Sequence, residues 1–240
     1  LISYHWKANG STVLNTDGSN ASTISANSTA GFSIVAFTGT GANATVGHGL
    51  GSAPKMIMIK ALSASNNWGV YHAGIGATKY LRLNATNAEA THSGYFQDTT
   101  PTPSVFSLGS DGNVNASGAD MIAFCFAEKT GYSKFGSYTG NGNADGPFVY
   151  TGFKPAWLLI KRTNAAGNGW FLMDTKTNTY NPKSIFLQAN LSNAETDVDR
   201  MDILSNGFKP RYNWGIINDT GASYIYMAFA EAPLVGSNNV

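Results

Sequence analysis

The chain states one pattern twice, about 100 residues apart, and that duplication constrains its folding more than any single motif. Phe37-Thr38-Gly39-Thr40-Gly41 returns as Tyr138-Thr139-Gly140-Asn141-Gly142. Pro54, ahead of an apolar run closing on Ile59-Lys60, returns 101 positions on as Pro155, ahead of a run closing on Ile160-Lys161. Trp68 is answered by Trp170, and Asn87-Ala88-Glu89 by Asn193-Ala194-Glu195. The strand-like run from Met121 to Glu128 is answered by Tyr224 to Glu231, where the spacing has grown to 103. A pattern kept in register over that length marks each copy as a folding unit.

The apolar segments are short and bounded by Gly, Asn, Ser and Pro, which favour turns. In the first copy they predict strands near Phe32–Phe37, Lys55–Lys60, Trp68–His72, Tyr80–Leu83, Val105–Leu108 and Met121–Ala127. The second copy predicts Lys134–Tyr138, Phe148–Tyr150, Ala156–Lys161, Trp170–Met173, Ser184–Gln188, Met201–Leu204 and Ser223–Ala230. One helical turn per copy is expected, over Ser192–Asp197 and Thr86–Ala90, where a hydroxyl residue precedes Glu by three positions as in a capping box. Long amphipathic periodicity is absent. The expected fold is therefore all-β: two tandem β-sandwich, jelly-roll-like repeats of about 100 residues each, with at most short helical turns.

The boundaries follow. Residues 31–129 and 130–233 are the expected repeats, and 234–240 a tail. Residues 11–30 offer almost nothing to bury and read as a polar linker or a surface-hugging extended segment. Ile2-Ser3-Tyr4-His5-Trp6-Lys7 resembles the closing strand of another unit, so residues 1–10 are expected to end a preceding copy and the chain to be a piece of a longer protein.

Charged residues are only 12%, and 15 basic against 14 acidic groups leave a net charge of +1, so nothing electrostatic points to a nucleic-acid partner. Apolar residues at 42% are enough to fill two cores, which separates the chain from disordered sequences. No run approaches the ~20 apolar residues of a membrane helix, so no membrane insertion is expected. Cys125 is the only cysteine, which excludes an internal disulfide, and its apolar strand makes it a small buried hydrophobe.

Catalytic chemistry finds little support. The acids are sparse and mostly lie in turns; the one cluster, Glu195, Asp197, Asp199 and Asp202, reads as a solvated face and does not match a calcium loop. The four histidines, His5, His48, His72 and His92, lack metal-motif spacing, and no nucleophile elbow is present. No enzyme, metal or cofactor is expected. Gly47-His48-Gly49-Leu50-Gly51 is a turn rather than a phosphate loop. The aromatic residues are more informative. Arg211, Tyr212 and Trp214 in a loop-rich stretch, with Trp68 and Tyr71 in the first copy, are the candidate ligand contacts, because ring faces cover the C–H surfaces of sugars. The competing role is core filling, the expectation for Trp68 and Trp170, which recur at equivalent positions.

Several segments together resemble a known family: Tyr4-His5-Trp6-Lys7-Ala8, Gly31-Phe32-Ser33-Ile34-Val35, the Gly47–Lys55 stretch, Lys134–Gly142 and Gly152-Phe153-Lys154-Pro155-Ala156-Trp157. The chain resembles, over essentially its whole length, an uncharacterised domain family of tailed-bacteriophage virion proteins, often found beside concanavalin-like lectin domains. The resemblance implies a tail fibre, a tail appendage or another externally displayed virion component, located on the particle surface, with other virion proteins as partners. It carries no catalytic residues. By analogy with such fibres it implies a homotrimer. Recognition of host surface glycans and capsid decoration are the alternative roles.

Overall fold

A computed structural model describes residues 3–178 and 180–230. The chain divides into two compact units. The first holds the residues up to Arg82 together with Ala90–Glu128; the second holds Leu83–Glu89 and the residues from Lys129 on. Both are all-β, as the short turn-bounded apolar runs require.

The first unit contains β1 (Val13–Asn15), β2 (Ser22–Asn27), β3 (Phe32–Thr38), β4 (Ala44–Gly47), β5 (Met56–Ala61), β6 (Gly69–His72), β7 (Lys79–Arg82), β8 (Ala90–Thr91), β9 (Val105–Leu108) and β10 (Asp120–Phe126). Two single helical turns, α1 (Ser93–Phe96) and α2 (Gly112–Asn115), flank β9. The strands form an antiparallel sheet β1-β2-β3-β10-β5-β6-β7-β8 and a separate pair β4-β9. The second unit contains β11 (Ser133–Thr139), β12 (Val149–Tyr150), β13 (Pro155–Arg162), β14 (Trp170–Asp174), β15 (Lys183–Gln188), β16 (Thr196–Leu204), β17 (Gly207–Pro210) and β18 (Ser223–Ala230). Their order is β11-β18-β13-β14-β15-β16-β17-β12. Strand for strand, β3 to β10 and β11 to β18 pair alike, with one exception. In the second unit β16 also pairs with β17, which joins all eight strands, whereas in the first α1 stands between β8 and β9.

Three expectations are corrected here. The stretch 11–30 is no linker: β1 and β2 extend the first unit's sheet through Ile24↔Val35, and Ser22 and Ile24 are buried. The edge strand β1 buries none of its residues and β2 only Ser22 and Ile24, so polar composition concealed both. The described part of residues 1–10 forms no strand of another unit. It lies along the first, where Trp6 meets Phe126 edge-on at 5.9 Å and Asn27 donates to the Lys7 carbonyl. Leu83–Glu89 counts with the second unit, inside which Glu89 N–H donates to Thr163 O and Thr86 O accepts from Gly167 N–H. The predicted helical turns are also displaced. Ser192–Glu195 and Thr86–Glu89 carry no helix, and Asp197 lies on β16; the real turns are α1 and α2, capped by the His92 ring and the Asp111 carboxylate. The tail 234–240 lies outside the described residues.

The cores form where alternation places every second side chain inward. Across the first sheet Val35, Ala123 and Ile59 stand in one row with Gly69; across the second the row is Gly136, Tyr226, Ile160 and Phe171. The volumes trade places. Gly136 has no side chain because a Cβ there would lie 2.7 Å from the Tyr226 hydroxyl, and Gly69 has none because it would strike Val114 of α2. Each layer fits by large-to-small complementarity rather than by repeated residues.

The twice-stated Thr-Gly-x-Gly now has a cause. Its first glycine approaches the loop before the last strand so closely that a side chain at Gly39 would strike the Ala116 carbonyl, and one at Gly140 the Asp219 carbonyl. Its second glycine, Gly41 or Gly142, sits at φ +66 or +65, where a side chain is strained. A buried asparagine locks each turn. Asn115 accepts from Thr40 N–H at 2.7 Å and donates to Ala42 O and Gly109 O; Asn218 accepts from Asn141 N–H at 2.9 Å and donates to Asn143 O. Lys60 and Lys161 likewise repeat one task, donating to the carbonyls of Asn66 and Asn168 in the following hairpin. Lys161 is fully buried, and desolvation, with Arg162 adding repulsion, pulls its pKa down to about 8.

Three of the four histidines are turn residues. The Nδ1 of His48, His72 and His92 each accepts the backbone N–H two residues on, at Leu50, Gly74 and Gly94. His48 is fully buried, its Nε2 bonds the Thr102 carbonyl at 3.1 Å, and desolvation holds its pKa below the ordinary 6.5. Protonation must break the Leu50 contact. A depressed folded-state pKa means that the unfolded chain binds the proton first as pH falls. The contribution of His48 is thus complete above pH 6.5 and is lost below it, at no more than about 1.4 kcal/mol per pH unit. Urea titrations at pH 7.5 and 5 should show a smaller acid loss in His48→Gln than in the parent chain; equal losses would remove His48 from the account.

Candidate functional site

The strongest site in the described residues is built on β15, β16 and the loop after β17. Between Lys183↔Met201 and Ile185↔Asp197 the pairing of β15 with β16 shifts, so that Ser184 alone on β15 stands against Val198, Asp199 and Arg200 on β16. Bulges of this kind re-aim side chains. Here Arg200 is only 8% exposed, its guanidinium 4.4 Å from the Tyr212 ring centre, 4.3 Å from that of Trp214 and 5.8 Å from that of Phe186. The loop is tied in place because Arg211 N–H donates to the Arg200 carbonyl at 2.8 Å, and because Trp214 O accepts from Ile217 and Asn218, opening the turn that carries the buried clamp. Trp214 rests against Phe186 at 5.1 Å and Phe171 at 6.4 Å, so core packing fixes one wall. Tyr212, 47% exposed, is the open wall.

The electrostatics are lopsided. Arg211 reaches Asp202 at 3.5 Å and Asp145 at 3.4 Å, and Lys209 binds Asp145 at 2.7 Å, holding that carboxyl below its usual range. Asp202 and Asp145 are thus engaged elsewhere. Among the described residues Arg200 has no ion-pair partner, and its buried Nε and Nη1 have no hydrogen-bond acceptor. Leaving a buried donor unpaired costs about 1–3 kcal/mol, more for a charged group. Contact with aromatic faces returns roughly 0.5–2 kcal/mol each. The arrangement is a caged cation with unused donors, suited to an anionic acceptor.

Of the five residues singled out in the sequence, Tyr212 and Trp214 come together around Arg200, and Arg211 lies on the adjoining ion-pair network. Tyr71 must be withdrawn as a contact: it is 2% exposed and packs edge-on against Phe96 in the first core, because β6 is buried on both faces. Trp68, half-buried, stacks on Phe124 at 6.1 Å within the first unit and so is no part of the Arg200 site, while Trp170 is buried. Arg200 was missed in the sequence. Its only local mark is a single basic residue in the acidic run Asp197–Asp202, and what makes it a site is a bulge and a loop eleven positions on. In that run Asp197 and Asp199 are exposed, as a solvated face requires.

Other places carry less chemistry. Two clefts of the first unit, about 520 and 440 Å³, have one titratable lining side chain each, Lys7 and Asp120. Among the described residues no three His, Cys, Asp or Glu side chains gather to hold a metal ion. Cys125 is buried in the core, and desolvation drives its thiol pKa up. No helix among the described residues is long and apolar enough to cross a membrane.

Fold and site together define an all-β, sandwich-like protein whose most developed polar feature is an aromatic-caged arginine. The chain belongs to the family described as a domain of unknown function, DUF7483, whose model matches residues 1–233. No curated protein and no solved structure matches it.

Proposed function

We propose that this chain is a non-catalytic structural module of a bacteriophage virion, a tail-fibre or tail-appendage segment that takes part in host attachment. The resemblance of its repeated motifs to displayed virion domains supplies the context. The observation that carries the reading is that both units repeat the same turn-locking contacts, through the buried Asn115 and Asn218 and through Lys60 and Lys161. A pair of stiff copies of one sandwich, displayed many times on a particle, multiplies weak contacts through effective concentration. Immunogold labelling of intact particles with antibody against this chain is expected to decorate external tail appendages. Label confined to the capsid shell would make it a decoration protein instead, and no label would remove it from the particle. Self-association as a homotrimer predicts a solution mass three times that of the chain; a monomer overturns that part.

A second reading, a carbohydrate-binding module for host surface glycans, is favoured by one observation. Tyr212 and Trp214 present ring surface beside Arg200's unused donors.

A further inference from the structure

We infer that the Arg200 cage is a binding site for the carboxylate of an acidic saccharide, a uronic or sialic acid residue. This rests on the carbohydrate-binding reading and narrows its ligand class.

Three observations converge on it. First, Arg200 is more than nine-tenths buried, yet Nε and Nη1 meet no acceptor among the described residues. Neutral hydroxyls can accept from them, but a charged acceptor answers both the unpaired donors and the uncompensated positive charge, and charge-assisted bonds are roughly twice as strong as neutral ones. Second, two acids of the adjoining ion-pair network are held by other cations: Asp202 by Arg211, and Asp145 by Lys209 and Arg211. Neither is therefore free to neutralise Arg200. Third, the guanidinium carbon lies 4.4 Å from the Tyr212 ring centre and 4.3 Å from that of Trp214, so an acceptor that reaches its donors also meets ring surface that suits the C–H face of a pyranose. An inorganic anion would use the arginine alone; a sugar acid also uses the exposed Tyr212 ring and the neighbouring exposed Asn213 amide. The first unit has no counterpart, since its equivalent of β16 is the two-residue strand β8.

The test uses the full chain and a panel of oligosaccharides containing galacturonate, glucuronate or sialic acid, each beside its methyl ester. Binding is followed by calorimetry and by NMR shifts of the Arg200 side chain and the Trp214 indole. At least one acid should bind, weaken as salt rises, and lose roughly 10–100-fold in affinity on esterification or on Arg200→Gln, the span expected for a charge-assisted hydrogen bond. Because Arg200 is buried, Tyr212→Ala serves as the second variant. It removes a half-exposed ring, should lower the melting midpoint only by the one cation–π contact it makes while leaving the fold intact, and should weaken binding about 5–10-fold through lost stacking. Equal binding of acid and ester, unaffected by Arg200→Gln, would overturn the carboxylate assignment while leaving glycan recognition standing. No binding across the panel would overturn both. Acetate binding as tightly as the saccharides, with no loss in Tyr212→Ala, would reduce the site to a bare anion pocket and overturn the saccharide.

Discussion

Asn115→Leu and Asn218→Leu are each expected to destabilise the unit that carries them by about 3–5 kcal/mol, a large part of the 5–15 kcal/mol that holds a typical domain together. Leucine has the branching and heavy-atom count of asparagine with bulkier methyl ends, so the loss is chiefly of hydrogen bonds with some overpacking added. At position 115 the exchange strands the Thr40 N–H and the carbonyls of Ala42 and Gly109; at 218 it strands the Asn141 N–H and the Asn143 carbonyl. Both asparagines are fully buried, so water cannot take over without opening the loop. The position 115 variant should suffer more, in proportion to the partners lost. Asn213→Leu, at an exposed loop position, is the control and should cost under about 0.5 kcal/mol. Urea midpoints read all three. A loss below about 1 kcal/mol at either clamp would show that the turns are held by their glycines alone.

These clamps also show where sequence reasoning reached and where it stopped. The repeated Thr-Gly-x-Gly and the strand at or just after the repeated proline are local signals, and both elements lie where those signals put them. The asparagines are equally regular, 103 positions apart like the closing strands, yet the chain is so rich in Asn that neither stood out. Laying the copies side by side at that spacing would have found them. β1 and β2 were hidden for a different reason. Val13 and Leu14 are exposed and the segment buries little beyond Ser22 and Ile24, of which only Ile24 is apolar, so it lacks the apolar–polar alternation that marks a strand with one face in a core. The acidic start of β16 mimicked a helix cap because Ser-x-x-Glu describes four residues, whereas strand pairing with β15 is decided by residues farther along the chain.

The candidate site divides along the same line. Tyr212 and Trp214 drew notice as aromatics in a polar loop without a counterpart in the first copy, a property of the sequence alone. Their partner Arg200 depends on a shifted register and on the loop folding back over β16, so no window of neighbouring residues contains the relationship. Tyr71 was misjudged because a strand flanked by polar turns was given an open face. Val70, Tyr71 and His72 are all buried, which periodicity within four residues cannot reveal.

The other large effect is expected from Phe208→Ala, at about 3–5 kcal/mol, the range for deleting a buried aromatic side chain. Phe208, on β17, is fully buried and meets Tyr138 edge-on at 5.8 Å and Tyr226 at 5.3 Å, so a single ring joins β17 to the inner faces of β11 and β18. Phe106 holds the same place in the first unit but has one such partner, Phe37 at 6.4 Å. Edge-on pairs add about 0.5–1.5 kcal/mol beyond buried area, so Phe208→Ala should exceed Phe106→Ala by roughly that amount. Leucine at 208 should recover most of the hydrophobic part and none of the ring–ring part, leaving a loss near 1–2 kcal/mol. Urea titrations with unchanged slopes would give all three numbers. If alanine at 208 and at 106 cost the same, the ring geometry contributes nothing and closure rests on volume alone. If both fall below about 2 kcal/mol, these phenylalanines do not join the layers, and the clamps at Asn115 and Asn218 must hold each sandwich shut without them.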